Sequence, residues 1–218
     1  MTYDDTNEAR QALIDACRAM EAKGLNQGTS GNASFRAGST MVITPSGTPY
    51  DIMTPNMLVA IPLDGSPDPS GRKPSTEWHF HQALFNAKPG IQSVFHAHPA
   101  HATAQAMTRA PIPACHYMIA AFGGPDVRVA DYARFGTQAL SDAVVAAMEG
   151  RQGCLMANHG ATTTGETIER ALWRMEELEH LARTYILSRM AGAPHILSDA
   201  EIEETLAAFE DYGLRRLP

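Results

Sequence analysis

The chain predicts an α/β fold built in layers, and two observations carry that expectation. Short β-prone pieces alternate with stretches whose apolar residues recur every three or four positions, the mixture that packs helices against a sheet. Hydrophobic residues make up 44% of the 218 and charged residues 19%, so a core of ordinary size can be buried and one domain over 1–218 is expected. No internal repeat or low-complexity tract interrupts the chain.

The opening element is a helix over residues 6–23, where Leu13, Ile14, Cys17 and Met20 share a face and Gly24 ends the pattern. Over 28–47 the pieces ASF and MVIT stand between Gly, Ser, Thr and Pro, as strands joined by exposed turns do. LVAIPL (58–63) reads as another strand, and DGSPDPSGRKPS after it as a turn-rich loop and a weak boundary signal. Residues 76–86 have a helical pattern, IQSVFHA (91–97) that of a buried strand, 136–149 that of a second amphipathic helix, and CLMAN (154–158) that of a strand. Over 166–190, Ile168, Leu172, Met175, Leu178 and Leu181 mark a long helix ending near Gly192. Its acidic run MEELEHLAR reads as a solvated face or one shared between subunits. Ser198 and Glu201 form a capping box, and Ile202, Leu206 and Phe209 supply the stripe of a last helix.

The formal charge of −7 disfavours a non-specific hold on nucleic acid, which rests on Lys and Arg neutralising phosphates. MTYDDTNEAR has no basic stretch leading into an apolar one, so no secretory leader is expected. No apolar run approaches the roughly 18 residues of a membrane helix. Cys17, Cys115 and Cys154 are widely spaced, without a CxxC pair, which fits reduced packing thiols in a cytoplasmic protein.

Three of the nine histidines fall within SVFHAHPAH (93–101). Side chains two apart on a strand leave the same face, so His96 and His98 aim at one point. That spacing suits a metal: imidazole binds Zn2+ at about 2.0–2.1 Å, and a catalytic zinc keeps about three protein ligands and an open position. A third ligand has to come from elsewhere, and His159 in MANHG, after a strand and before a glycine that permits a sharp turn, is the candidate. By itself the pair reads equally as two strand histidines held by hydrogen bonds. His101 lies past Pro99 and is expected to be satisfied or at the surface, while His79 and His81 diverge around a helical turn and are expected on the helix surface. For Glu77 in KPSTEWHF, spacing leaves two readings open. It is a metal ligand or general base, or a helix-start carboxylate that complements the dipole for about 0.3–1 kcal/mol.

GTSGN (28–32), TPSG (44–47) and PSTE (74–77) are rich in small residues whose backbone amides can converge on an anion. Each alone reads as an ordinary turn. None has the Walker or Rossmann spacing, so nucleotide binding has no support.

In this order, GLNQGTSGN, ITPSGTPY, KPSTEWHFH, HAHPAH, APIP, HYMIAAFGG, FGT, NHG, ERALW and YGLR resemble the class II aldolase and adducin-head family of small zinc lyases, over nearly the whole chain. The resemblance implies a three-layer α/β/α sandwich with a central, mainly antiparallel mixed sheet, and a homotetramer with active sites at subunit interfaces. It makes His96, His98 and His159 the ligands of Zn2+, with Mn2+ or Co2+ as other metals an imidazole site suits. Glu77 becomes the acid/base that also ligates the resting metal. Thr29, Gly31, Asn32, Ser46, Gly47, Ser75 and Thr76 become a phosphate cradle. Tyr117 becomes a proton donor reaching a neighbouring subunit's site, and Tyr212 closes over substrate from the C-terminal tail.

The implied reaction is cleavage of a ketose 1-phosphate, L-fuculose 1-phosphate-like, to dihydroxyacetone phosphate and an aldehyde. The same build serves 5-methylthioribulose 1-phosphate aldolases, more distant dehydratases and pentulose-phosphate 4-epimerases. The epimerases carry Asp where this chain has Glu77, which favours the aldolase. A non-catalytic adducin-head interaction module is the reading from another class, and retention of Glu77 and all three histidines speaks against it. Met156, Ala157 and residues 162–164 depart from the fuculose-type pattern beside the metal and bear on the aldehyde half of the substrate.

Overall fold

A computed structural model of the chain describes residues 2–66 and 71–209. Its helices are α1 (Asn7–Ala22), α2 (Trp78–Ala87), α3 (Ala100–Met107), α4 (Gln138–Ala147), α5 (Ile168–Ala191) and α6 (Asp199–Phe209). Its strands are β1 (Asn32–Ala37), β2 (Thr40–Ile43), β3 (Val59–Pro62), β4 (Ser93–Ala97), β5 (Ile112–Pro113), β6 (Asp126–Val127), β7 (Val129–Ala130), β8 (Gly153–Met156) and β9 (Gly160–Gly165). Tight 3-10 turns run over Pro55–Met57 and Tyr117–Phe122.

Seven strands form one sheet in the order β3-β2-β1-β4-β9-β8-β7, antiparallel throughout except for the parallel pair β7 and β8. β5 and β6 pair separately. Period-two alternation sorts the sheet's side chains into two layers. Phe35, Val42, Phe95, Leu155 and Ala161 point to one face and pack with Leu13 and Ile14 of α1, Ala102 of α3 and Met175 of α5. Met41, Ile43, Val94, Cys154 and Met156 point to the other, against Phe80, Leu84 and Phe85 of α2 and Leu140 and Val144 of α4. The result is an α/β/α sandwich around a mainly antiparallel mixed sheet, as the resemblance implied.

The expected helices end where local chemistry ends them. Thr6, Thr137 and Thr167 each cap a helix by accepting a backbone N–H through the side chain, an interaction worth about 1 kcal/mol. Ser198 and Glu201 make the capping box reciprocally: Ser198 N donates to Glu201 Oε2 at 2.7 Å, and Glu201 N to Ser198 Oγ at 3.4 Å. α2 starts at Trp78, two residues later than its pattern, because Trp78 N still closes a turn onto Ser75 O at 3.2 Å.

Several expectations change. α3, β9 and the two-residue strands β5, β6 and β7 have no counterpart in the sequence pattern. The acidic run on α5 is bound into the molecule: Glu176 pairs with Lys23 at 2.9 Å, and Glu179 accepts from the backbone of His101 and Ala102 at the start of α3. His101 completes that contact through its ring, 2.6 Å from Glu179, and is satisfied as expected. Cys17 and Cys154 are buried, Cys115 is half-buried, and all three are free thiols. Among the described residues no helix is long and apolar enough to cross a membrane.

Candidate metal centre

His96 belongs to β4, where alternation turns it to the α2 side of the sheet, and its ring meets Phe80 edge-on at 5.5 Å. His98 follows just beyond the strand end. His159 sits in the turn between β8 and β9, and the pairing of β9 with β4, Ala161 opposite Ala97, carries that turn to the end of β4. One ligand atom from each of the three rings lies within 4.8 Å of the others, so the group could hold a metal ion. The turn is made differently from expectation. The left-handed residue is Asn158, at φ 53°, whereas Gly160 is required for space: a Cβ there would stand 2.5 Å from Ala97 O and 2.5 Å from His98 Cδ2.

Glu77 is the N-cap of α2, yet its side chain makes no capping bond. It is 5% exposed and turned inward, with Oε2 at 3.2 Å from His96 Nε2 and Oε1 at 3.3 Å from His159 Nε2. The reading of Glu77 as a mere complement to the helix dipole therefore gives way to one in which it faces the histidines.

The donor chemistry fits a cation. His96 Nδ1 lies 2.9 Å from Ala161 O and donates to it, which in the neutral ring leaves Nε2 as a lone pair facing Glu77 and, at 3.1 Å, His98 Nε2. His98 Nδ1 is occupied by Ser30 Oγ at 3.1 Å, so its Nε2 also faces inward. Glu77 Oε1 is buried without a hydrogen-bond partner. Lone pairs and a carboxylate thus converge, an arrangement that needs positive charge between them. A tetrahedral ion with ligands at about 2.0–2.1 Å separates neighbouring ligand atoms by about 3.3 Å, close to these spacings.

The carboxylate and the rings set one another's charge state. Burial alone would raise the Glu77 carboxyl, but attraction and hydrogen bonding to His96, attraction to His159 and the bond from Asn32 bring it down to about 2. Burial lowers His96, and Glu77 more than restores it, for a net rise. Burial and repulsion from neighbouring imidazoles bring His98 and His159 down to about 4, so both are neutral donors near pH 7.

The loops expected to hold an anion lie beside this centre, where Ser30 meets His98 and Asn32 meets Glu77. Pro45 and Pro74 form an antiparallel bridge joining TPSG to PSTE, and Thr44 bonds Ala33 at the start of β1. The amides of Ser46 and Ser75 are spent in that seam, on Lys73 O and Thr44 O, so these two residues retain only their hydroxyls for an anion. Thr29, Gly47 and Thr76 are exposed, and Gly47 holds φ 65°. Gly31 lies against Asn26, whose side chain would have to shift for a Cβ that would stand 2.8 Å from it. Tyr117 opens the 3-10 turn Tyr117–Phe122, is 49% exposed, and lines a cavity of about 360 Å3 with Glu204, Thr205, Ala208 and Phe209. Tyr212 lies outside the described residues.

A family model described as the class II aldolase and adducin N-terminal domain matches residues 11–186. The chain belongs to this family. It is 42% identical over 212 residues to an L-fuculose phosphate aldolase of Escherichia coli O6:H1, covering 97% of this chain and 98% of that protein. It is 44% identical over 204 residues to a 5-methylthioribulose-1-phosphate/5-deoxyribulose-1-phosphate aldolase of Rhodospirillum rubrum, covering 94% and 92%. A solved L-fuculose 1-phosphate aldolase superposes with a TM-score of 0.90 at 36% identity, covering 94% of this chain and 97% of that one. With aldolases matched over nearly its whole length in sequence and fold, the chain is a class II aldolase, an enzyme of the lyase class.

One group in this aldolase escaped the sequence reading. His81, expected on the helix surface, is fully buried, with Nδ1 at 2.7 Å from Ser34 Oγ and Nε2 at 2.6 Å from Asn32 Oδ1. Burial, then repulsion from His96, brings it down to about 3. Asn32 in turn donates to Glu77 Oε2 at 2.9 Å. The signal was present: Glu77 and His81 are four apart on one helix face, and Asn32 and Ser34 two apart on one strand face. A polar stripe on each of two facing elements marks a buried network.

Proposed function

We propose that the chain cleaves a ketose 1-phosphate, L-fuculose 1-phosphate-like, to dihydroxyacetone phosphate and an aldehyde. The ligands would be His96, His98, His159 and, at rest, Glu77, with Zn2+ as the ion and Mn2+ or Co2+ as substitutes. The observation that carries the reading is the convergence of three imidazole nitrogens and a buried carboxylate at one point. When bound, the cation supplies Lewis-acid stabilisation of the negative charge that cleavage leaves on the ketone fragment.

The chain's own groups do the rest. Glu77, held ionised, takes the proton from C3 in the synthetic direction through the oxygen that no hydrogen bond occupies; in cleavage it first takes up a proton from water and delivers that proton to C3. The hydroxyls of Thr29, Ser46, Ser75 and Thr76, with the backbone at Gly31, Asn32 and Gly47, hold the phosphate beside the start of α2. Half-exposed Tyr117 handles the proton on the C4 oxygen from a neighbouring subunit, and Tyr212 closes over the substrate. The reading takes 1–218 as a single domain in a cytoplasmic homotetramer.

The resemblance to the 5-methylthioribulose-1-phosphate/5-deoxyribulose-1-phosphate aldolase favours a second substrate of the same phosphorylated end. Cleavage coupled to reduction of dihydroxyacetone phosphate, run on the fuculose, ribulose and methylthioribulose 1-phosphates, separates them. Activity is expected to vanish with a chelator, return with Zn2+, and fall about 10²–10⁴-fold in Glu77→Gln. Activity indifferent to chelation, or to that substitution, would sink the mechanism.

A further inference from the structure

Behind Glu77 a line of buried polar groups leads away from the metal-facing histidines: Ser34 to His81, His81 to Asn32, Asn32 to Glu77 Oε2. Ser34 and His81 are 0% exposed, Asn32 3% and Glu77 5%, so solvent satisfies none of them. Such a line has a direction. An ionised carboxylate only accepts, so the Asn32 group that meets Glu77 is the amide N–H. The other end of that amide is its carbonyl oxygen, which also only accepts, and His81 must meet it with N–H at Nε2. A neutral ring carries one proton, so Nδ1 is a lone pair and the Ser34 hydroxyl donates to it.

We propose that His81 is a positioning residue for Glu77: its Nε2–H sets the orientation of the Asn32 amide, and the amide ties Oε2 so that Oε1, turned toward His159, is the oxygen left without a hydrogen bond. The other tautomer would draw the amide N–H to His81 and turn Asn32 Oδ1 against Glu77, acceptor facing acceptor in a site closed to water. This inference rests on Glu77 being the acid/base of the proposed reaction, and it adds a device that keeps its basic atom aimed.

The ring proton itself is the first test. In protein labelled with 15N-histidine, the His81 signals, assigned by their loss in His81→Phe, are expected to show Nε2 protonated and Nδ1 bare across the neutral range. A ring protonated at Nδ1, or at both nitrogens, overturns the proposal. At saturating Zn2+, His81→Phe is expected to lower kcat about 10- to 100-fold with KM unchanged, and His81→Gln, whose amide N–H reaches Asn32, to recover most of that loss. A Phe variant with wild-type kcat, or a Gln variant no better than Phe, also overturns it. If His81→Phe does not fold, the wild-type ring proton, assigned through His81→Gln, decides alone. Failure of the wild type to cleave any ketose 1-phosphate would overturn only the proposed reaction, because the tautomer and the variants' Zn2+ affinities still report whether His81 aims Asn32 and Glu77.

Discussion

At Gly160 the chain passes so close to the end of β4 that any side chain would press on Ala97 O and on the His98 ring, each 2.5 Å from the place a Cβ would take. Both neighbours are constrained, one by the sheet and the other by its bond to Ser30. Gly160→Ala is therefore expected to displace His98 and weaken Zn2+ binding about 10- to 100-fold while circular dichroism stays unchanged, as chelator competition would measure. The three histidines of the candidate centre were legible because two chemical regularities coincide there: the period of a strand aligns His96 with His98, and His159 follows a strand end. His81 was not legible from the same rules. Viewed along its own helix it diverges from His79, and only the facing strand, with Asn32 and Ser34, reveals that its side is an interior one.

Elements were readable in proportion to their apolar contrast. α1, α5 and α6 have Leu, Ile and Met recurring against charged residues, and the side chains that this pattern selects on α1 are the buried ones. α3 reads AHATAQAM, mostly small residues, so burial of Ala102 and Ala106 leaves little hydrophobic contrast to detect. β9 reads GATTTG and is wholly buried, its threonines satisfied by partners such as Ala171 O and Gln152, which no local pattern announces.

α5 also ties the layers together through Arg174, which donates to Thr164 O of β9 at 2.7 Å and to Ala121 O of the turn bearing Tyr117 at 3.2 Å. Its partner is Glu166, whose carboxyl burial would raise but which Arg174 holds below the ordinary carboxylate value. A folded-state value below the unfolded one contributes stability that is present above the ordinary carboxylate pKa and is lost as pH falls through the lowered value. Urea unfolding at a series of pH values is expected to show that acid-side loss in the wild type and a shallower one in Glu166→Gln. Equal slopes would mean the pair contributes nothing.

At the scale of the whole molecule, the proposed donation by Tyr117 makes activity a property of neighbouring subunits rather than of one chain. His159→Ala and Tyr117→Phe are each expected to be impaired, the first in metal binding and the second in proton transfer. Subunits of the two, unfolded together and reassembled at random, should regain activity at about one quarter of sites, those pairing an intact His159 with an intact neighbouring Tyr117. Recovery absent from the reassembled mixture would confine Tyr117 to its own chain.

The groups that could hold an ion are also spread along the polypeptide, from the end of β4 to the turn that precedes β9, with Glu77 facing them from the head of α2. Because β9 must lie beside β4 before His159 can join His96 and His98, a ribosome-bound chain that has not yet reached that turn offers an ion only a partial, weak grip. Capture of a cation by these groups would therefore follow the pairing of remote strands rather than guide it.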